Sequence, residues 1–480
     1  MKSRAFVAGT ATVLLFASSP SQAGFICTGD VTEDNGGFPC DAAAENLVIA
    51  RNNDGAMTVN GGSNLTVTPP VGDDAFLGVG FRADGTLEVL GGSSVSLNGG
   101  SGHANMTLGR HPGSNGDATI SGGSQLAITG QDARIFVGRE GTADLQILSG
   151  SSVTVQGLVT DTEDTGIQIS EDEQGGDGKS PSASVTVDNS SLAVQSTNAF
   201  INVGRTGPGS LTVQNGGVVS ITGGTGFGFL GVGRDGNGEL NVLSGGQVNV
   251  TAGSTDTSAF VAEAPGSVGT VVVDGAGSKL DAGETLAIGY QFGLANPGGT
   301  GTVNVRNGGA IEATDIYISP NGFLGGNGSV TGNIHNNGGT LAPGLSPGTL
   351  NVFGDITQTA GHFEVEIAGL APGQFDIFNV DGTVNFLGGS ILFIFLDGFL
   401  PKANDLVNFL FADEILGLNN VDFLYKGAAP GFEFNVVDNG SGGLQFLARN
   451  DAAAVPEPAS VALFIAGLLG LGWLNSRRKA

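Results

Sequence analysis

Along most of the chain, aliphatic residues come in pairs with one other residue between them, in short runs set apart by glycine-rich punctuation. Leu77 and Val79, Met106 and Leu108, Ile201 and Val203, and Leu230 and Val232 form one series. Leu87 and Val89, Leu145 and Ile147, Leu211 and Val213, and Leu240 and Val242 form a second. Leu65 and Val67, Val95 and Leu97, Val153 and Val155, and Val248 and Val250 form a third. A period of two turns one face of an extended strand to an apolar interior and the other to water. In the second series the intervening residues, Thr58, Glu88, Thr119, Gln146, Thr212 and Asn241, are polar as a wetted face requires.

The runs recur as a unit. "FLGVGFRADGTLEVLGGSSVSLNGG" returns as "MTLGRHPGSNGDATISGGSQLAITG", "IFVGREGTADLQILSGSSVTVQG", "INVGRTGPGSLTVQNGGVVSITGG" and "LGVGRDGNGELNVLSGGQVNVTAG". Gly80, Gly109 and Gly138 are 29 residues apart, as are Gly204 and Gly233. With fainter copies on either side, roughly nine units fill residues 46–315. Three strands per unit with glycine-rich corners describe one coil of a parallel β-solenoid, in which like residues stack on like. A leucine-rich repeat would need a helix or asparagine turn, and a propeller blade would need four strands in about 40 to 45 residues. The expected fold is all-β: a right-handed parallel β-helix, three strands per coil, over residues 46–340. At about 4.8 Å per coil, nine coils make a rod about 40 to 45 Å long, which the shorter turns of "GFLGGNGSVTGNIHNNGGTLAPG" extend. Fourteen of the 28 phenylalanines fall between Phe353 and Phe446. A solenoid exposes an apolar cross-section at its end, so residues 341–450 are expected to form a phenylalanine-rich β cap.

The two termini differ from this body. Residues 1–23 have a basic start (Lys2, Arg4), an apolar centre and the small-residue exit "SQA", the layout of a cleavable secretory signal. "GFIC" before Cys27 lacks a lipoprotein cleavage box. Export to an oxidising compartment lets Cys27 and Cys40, the only cysteines, close one loop inside an N-terminal cap over residues 24–45. At the other end, residues 455–480 read "VPEPASVALFIAGLLGLGWLNSRRKA". Ala459 to Leu474 carries no charge and as a helix would span about 24 Å, slightly under the ~30 Å of a bilayer core. Arg477, Arg478 and Lys479 flank it and should stay cytoplasmic. A plain tail anchor is the simplest alternative for this segment.

Charge narrows the partners. The formal charge of −27 becomes −31 for residues 24–454 once the signal's two cations and the tail's net +2 are set aside. Nucleic acid and anionic membrane surfaces suit such a body poorly.

The phrase "VGRxGxGxLxVxxGGxV", clearest at residues 203–219 and 232–248, resembles the repeat shared by autotransporter passengers and PEP-CTERM proteins. The closing segment resembles the PEP-CTERM sorting signal, with Pro456, Glu457 and Pro458 as its motif. Residues 341–450 are similar to the segment that ends many autotransporter passengers, without the barrel that follows in those proteins. The resemblance implies a Gram-negative bacterium in which an exosortase recognises the tail, cuts near the motif and passes the body to the cell surface or an exopolysaccharide matrix. The tail then serves as a transient inner-membrane anchor and an address.

Candidate chemistry is sparse. Arg82, Arg110, Arg139, Arg205 and Arg234 form an apparent column in which cations about 4.8 Å apart repel unless neutralised. Asp84, Glu140 and Asp235, one or two residues away, are expected to supply corner salt links. Contact with an acidic polysaccharide is the alternative use of the column. Pectin-degrading β-helices cluster aspartates, or arginine with calcium-binding acids, in one groove. Here Asp73 and Asp74 stand alone, and His103, His111, His335 and His362 are scattered, so no catalytic residues and no enzyme activity are expected. Asp161, Glu163, Asp164, Glu171, Asp172, Glu173 and Asp177 could hold calcium, but without a calcium-loop spacing they read as a solvated acidic insertion. No cofactor or metal site is expected. Sugar-stacking platforms lack their usual residues, since Trp473 is in the tail and the body has only Tyr290, Tyr317 and Tyr425. The outward Thr66, Ser96, Ala127, Thr154 and Ala193 are too mixed for an ice-binding face. The expectation is an exported, surface- or matrix-associated rod with structural or adhesive work, a carbohydrate-binding module being the other class.

Overall fold

The computed structural model describes residues 24–454 apart from 34–35, 38–39, 41, 159–163, 173–181, 254–256, 291–297 and 345–346. The expected signal at 1–23 and the tail at 455–480, with Pro456, Glu457, Pro458, Arg477, Arg478 and Lys479, lie outside the described residues. The described chain is a β-solenoid of about 12 turns.

Strands pair in parallel with their own kind one unit on, passing over the two strands between. Ala75–Val79 pairs with Ala104–Leu108, and that with Ala133–Val137, which sets Leu77, Met106 and Ile135 side by side. In the second series Leu87, Ala118 and Leu145 are neighbours, and in the third Val95, Leu126 and Val153. The alternation read from the sequence is the alternation of the fold. Leu77, Val79, Leu87, Val89, Val95 and Leu97 are fully buried, and so are their counterparts Leu211, Val213, Val248 and Val250. Each fully buried Val or Leu side chain contributes about 1.5–3 kcal/mol, and in-register stacking repeats that gain from coil to coil.

The corners explain the glycines and serines between strands. The marker glycines Gly80, Gly109, Gly138, Gly204 and Gly233 have φ of 68°, 60°, 70°, 69° and 70°. A Cβ at Gly80, Gly204 or Gly233 would fall on the carbonyl oxygen of Asn115, Asn237 or Val268 in the neighbouring coil. Both the left-handed backbone and the close approach of that coil therefore select glycine. At the second corner a buried serine hydroxyl accepts a backbone N–H from the coil before it. Ser93 Oγ accepts from Ser63, Ser124 Oγ from Ser93, Ser151 Oγ from Ser124 and Ser190 Oγ from Ser151, at 3.2, 3.2, 3.1 and 3.2 Å. These bonds satisfy donors that a sharp bend would otherwise bury unpaired.

The two ends close differently. Gly24–Gly29 lies antiparallel on Gly55–Asn60, and Val31–Glu33 antiparallel on Leu47–Ile49, so the first coil is covered by reversed strands. A disulfide joins Cys27 to Cys40, whose Cα atoms are 6.0 Å apart. Towards the C-terminus parallel stacking runs on past the boundary expected at 340/341. Ile356–Ile367 pairs with Ser390–Phe395, and that with Asp422–Lys426, all in parallel. The change to antiparallel pairing comes only with Leu406–Phe411, Phe434–Asp438 and Gly443–Ala448. What changes near residue 340 is the filling: the interior passes from Val, Leu and Ile to Phe363, Phe378, Phe386, Phe393, Phe409 and Phe446, all fully buried. Composition marked that change in core residues, whereas strand direction turns some 65 residues later. Among the described residues no helix is long and apolar enough to cross a membrane.

Candidate functional site

The residue after each marker glycine leaves the corner and lies against the outer face of the first strand series. Backbone bonds fix this column: Arg110 N–H donates to Gly80 O, Arg139 N–H to Gly109 O, Glu171 N–H to Gly138 O and Glu263 N–H to Gly233 O. Its members, in order, include Arg51 after Ala50, then Phe81, Arg110, Arg139, Glu171, Arg205, Arg234 and Glu263. Two corrections follow. Arg82 stands one place beyond the column, because Phe81 follows Gly80 directly. The column is also not all cationic, since Glu171 and Glu263 occupy arginine positions in their coils.

Two of the arginines pair with acids of the coil after their own. Arg205 pairs with Asp235, but across a coil, and Arg234 Nε lies 3.1 Å from Glu263 Oε2 in the coil after its own. Glu140 faces His111 at 3.7 Å, and Asp84 Oδ1 accepts the backbone N–H of Asn115 at 3.2 Å. Several of the cations also lie over rings. The Arg82 guanidinium is 5.6 Å from the Phe81 ring centre, Arg110 is 5.3 Å from Phe81, and Arg139 is 4.4 Å from Phe136. Burial, with Arg234 beside it, lowers the Arg205 pKa, and Glu171 and Glu263 oppose that shift. The guanidinium stays a cation at any physiological pH.

Beside this column the outward face of the first strand series carries residues that sequence reasoning did not single out. In successive coils one outward row reads Arg134, Gly166, Phe200, Phe229, Ser258 and Thr285. The next row reads Phe136, Gln168, Asn202, Gly231, Phe260 and Ala287. Phe200 and Phe260 are 5% and 4% exposed although they point away from the core, so this face has an apolar layer of its own. Glycine makes room for it. A Cβ on Gly78 would come within 2.8 Å of the Phe76 ring, and one on Gly231 within 3.0 Å of the Phe229 ring, because each ring folds over the glycine two residues on. The signal was present in the sequence as Phe-Leu-Gly at 76–78 and 229–231, a phenylalanine where the alternation asks for a polar residue.

Small residues between these rings leave a groove of about 660 Å³, lined by Phe200, Phe227, Phe229 and Phe260 together with Gln168, Asn202, Arg134, Arg234 and Glu263. Asn202 Nδ2 donates to Gln168 Oε1 at 3.0 Å. Asn202 is 1% exposed, and its Oδ1 has no hydrogen-bond partner among the described residues. Arg134 Nε is 2.7 Å from Asp132 Oδ1 and donates to the carbonyl of Asp164 at 3.1 Å.

The histidines do not converge: His103 faces Asp132 at 3.6 Å, His335 faces Asp315 at 2.8 Å, and His362 Nδ1 meets Ser390 Oγ at 2.7 Å. Asp74 Oδ1 accepts the backbone N–H of His103. Of the acidic insertion, Asp161, Glu163, Glu173 and Asp177 lie outside the described residues, Asp164 lines the groove, and the Asp172 N–H donates to Thr206 Oγ1 at 2.6 Å. Among the described residues no group of three or more His, Cys, Asp or Glu is placed to hold a metal ion.

Residues 454–479 match the model of the PEP-CTERM protein-sorting motif. No curated protein matches the chain. The motif indicates exosortase-dependent export and sorting to the cell surface, and a β-solenoid fits a surface structural protein.

Proposed function

We propose that the chain is a structural and adhesive rod of the cell surface or extracellular matrix, without catalysis of its own, held at the inner membrane only until its tail is removed. The sorting motif at 454–479 is the observation that carries this reading. In it, an exosortase meets the extended chain at Pro456, Glu457 and Pro458, while the apolar stretch after Ala459 and the cations Arg477, Arg478 and Lys479 hold the tail in the bilayer. Residues 1–23 act first, as the export signal. The rod itself supports a scaffold because coil stacks on coil through neighbouring strands, which gives length and stiffness.

Acidic exopolysaccharide bound along the arginines is the weaker reading. Arg205 and Arg234 are engaged with Asp235 and Glu263, and the surrounding body is strongly acidic. The test is fractionation of cells expressing the wild type and Glu457→Ala. The wild type is expected in the surface or extracellular fraction and the variant in the inner membrane; equal distribution of the two would overturn the sorting role given to the motif.

A further inference from the structure

We infer that the groove on the outward face of the first strand series, from Arg134 to Thr285, is a binding site for a short stretch of neutral polysaccharide. The inference rests on the exported reading above, since it needs a glycan outside the cell. Three features of the groove specify that ligand.

Its volume of about 660 Å³ is within the range of sites that enclose a small ligand or an oligomer segment. Its apolar part is phenylalanine: Phe227 and Phe229 are half-buried and present ring surface to the groove, and the buried Phe260 backs Phe229 from the next coil with ring centres 5.5 Å apart. Aromatic surface of that kind takes the C–H face of a pyranose ring.

Its polar part asks for hydroxyl donors. Asn202 Oδ1 is buried without a partner, and a buried acceptor left so is costly unless a ligand supplies a donor. The atom faces the space above Gly231, where a Cβ would lie only 2.6 Å away, so the row of amides Gln168 and Asn202 ends at a glycine instead of a third side chain. A sugar hydroxyl both donates and accepts and can serve that oxygen and the Gln168–Asn202 pair together.

Its charge excludes polyanions. Arg134 and Arg234 are outnumbered by Asp164, Glu263 and Glu284 among the lining residues, and each arginine already has an acid at 2.7 or 3.1 Å. A uronate or sulfated chain would meet net negative charge in the groove and a strongly negative body around it. The repeat also gives direction, because the groove crosses coils along the rod axis and its long axis follows that of an extended chain laid on the rod.

The test is calorimetric titration of the purified mature protein with neutral gluco-, manno- and galacto-hexasaccharides and with a polyuronate of similar length. At least one neutral hexamer is expected to bind saturably, with an affinity unchanged by added salt. Asn202→Leu is expected to weaken that binding about tenfold or more, in line with the loss of one buried hydrogen bond. Ser258→Trp fills the groove from its outward row without touching the core and is expected to abolish binding, while Thr212→Asp on another face leaves it intact. No saturable binding of any neutral hexamer, salt-sensitive binding of the polyuronate alone, or wild-type affinity in folded Ser258→Trp would each overturn the inference. Because the titration uses purified protein, its failure leaves the sorting reading standing, and mis-sorting of the Glu457 variant leaves the groove untouched.

Discussion

At the level of single residues, the fold depends on which way a side chain faces and which backbone angle it must hold. Val213 is fully buried and Thr212 beside it faces outward between Thr186 and Asn241. Val213→Asp buries an unpaired charge and is expected to cost more than about 3 kcal/mol in denaturant unfolding, while Thr212→Asp stays within about 0.5 kcal/mol. Equal losses would contradict the assigned alternation. The marker-glycine position makes a converse prediction. Ala50, Ser170 and Ala262 occupy it in the fainter copies with φ of 63°, 62° and 61°. A left-handed backbone costs a non-glycine residue about 1–2 kcal/mol, so Ala262→Gly is expected to raise stability by about 1 kcal/mol, less the entropy that glycine adds to the unfolded chain. A destabilised variant would show that the corner is held by something other than its φ. Asp376 gives a pH dependence. Burial pushes its carboxyl up to about 7, with Glu366 and Glu364 adding to the rise, against the backbone N–H groups of Gly348 and Glu366 that donate to it at 2.7 and 2.8 Å. The folded protein therefore holds this proton more tightly than the unfolded chain, whose carboxyl titrates near 3.8. The stability it contributes is full below about pH 3.8 and is lost as the pH rises through about 7. Asp376→Asn should flatten that part of the decline between about pH 4 and about pH 7, and unchanged steepness would place the carboxyl elsewhere.

At the scale of elements, the strands of the repeat were legible because two independent signals agree there: aliphatic alternation gives the face, and the glycine after it gives the end. Leu211 to Gln214 shows both the reach and the limit of that reading, since it fixes a strand and its buried side but not what covers the outer side of another strand. The outward phenylalanines were missed for that reason. Alternation assigns every outward position to water, whereas Phe76, Phe200 and Phe229 pack against their neighbours' rings and glycines from outside. The arginine column was read one place off at Arg82 because phenylalanine takes the position directly after Gly80 and the arginine follows it, in a corner of the same length as those after Gly204 and Gly233. Its partners were misplaced because proximity along the chain was used where stacking supplies the nearer acid, as Glu263 does for Arg234. The N-terminal strands had no repeat to identify them, and only the two cysteines marked that cap. The Cys27–Cys40 bridge closes a loop of 13 residues. Cys27→Ser with Cys40→Ser is expected to destabilise this cap by about 2–3 kcal/mol, seen as faster hydrogen exchange over residues 24–33 with little change beyond the first coils, since solenoid stability is local. Uniform loss of protection along the whole rod would contradict nearest-neighbour stacking.

At the scale of the whole molecule, each coil is the template for the next, the two ends are closed by antiparallel strands, and phenylalanine fills the last turns. At the N-terminal end the strands Gly55–Asn60 and Leu47–Ile49 of the first coil are covered by Gly24–Gly29 and Val31–Glu33 and so are not left as bare edges for another chain. In the proposed role its acidic body stands out from the cell, and the proposed groove gives it one place to hold a neutral glycan. All of this presumes delivery, which the rod cannot provide and the tail must. In the proposed function the tail is therefore an address removed on arrival. Mass spectrometry of the native protein from surface material decides this: a chain that begins after Ala23 and ends close to Pro458 is expected, and a surface-exposed chain still ending in Ala480 would overturn the role given to the tail.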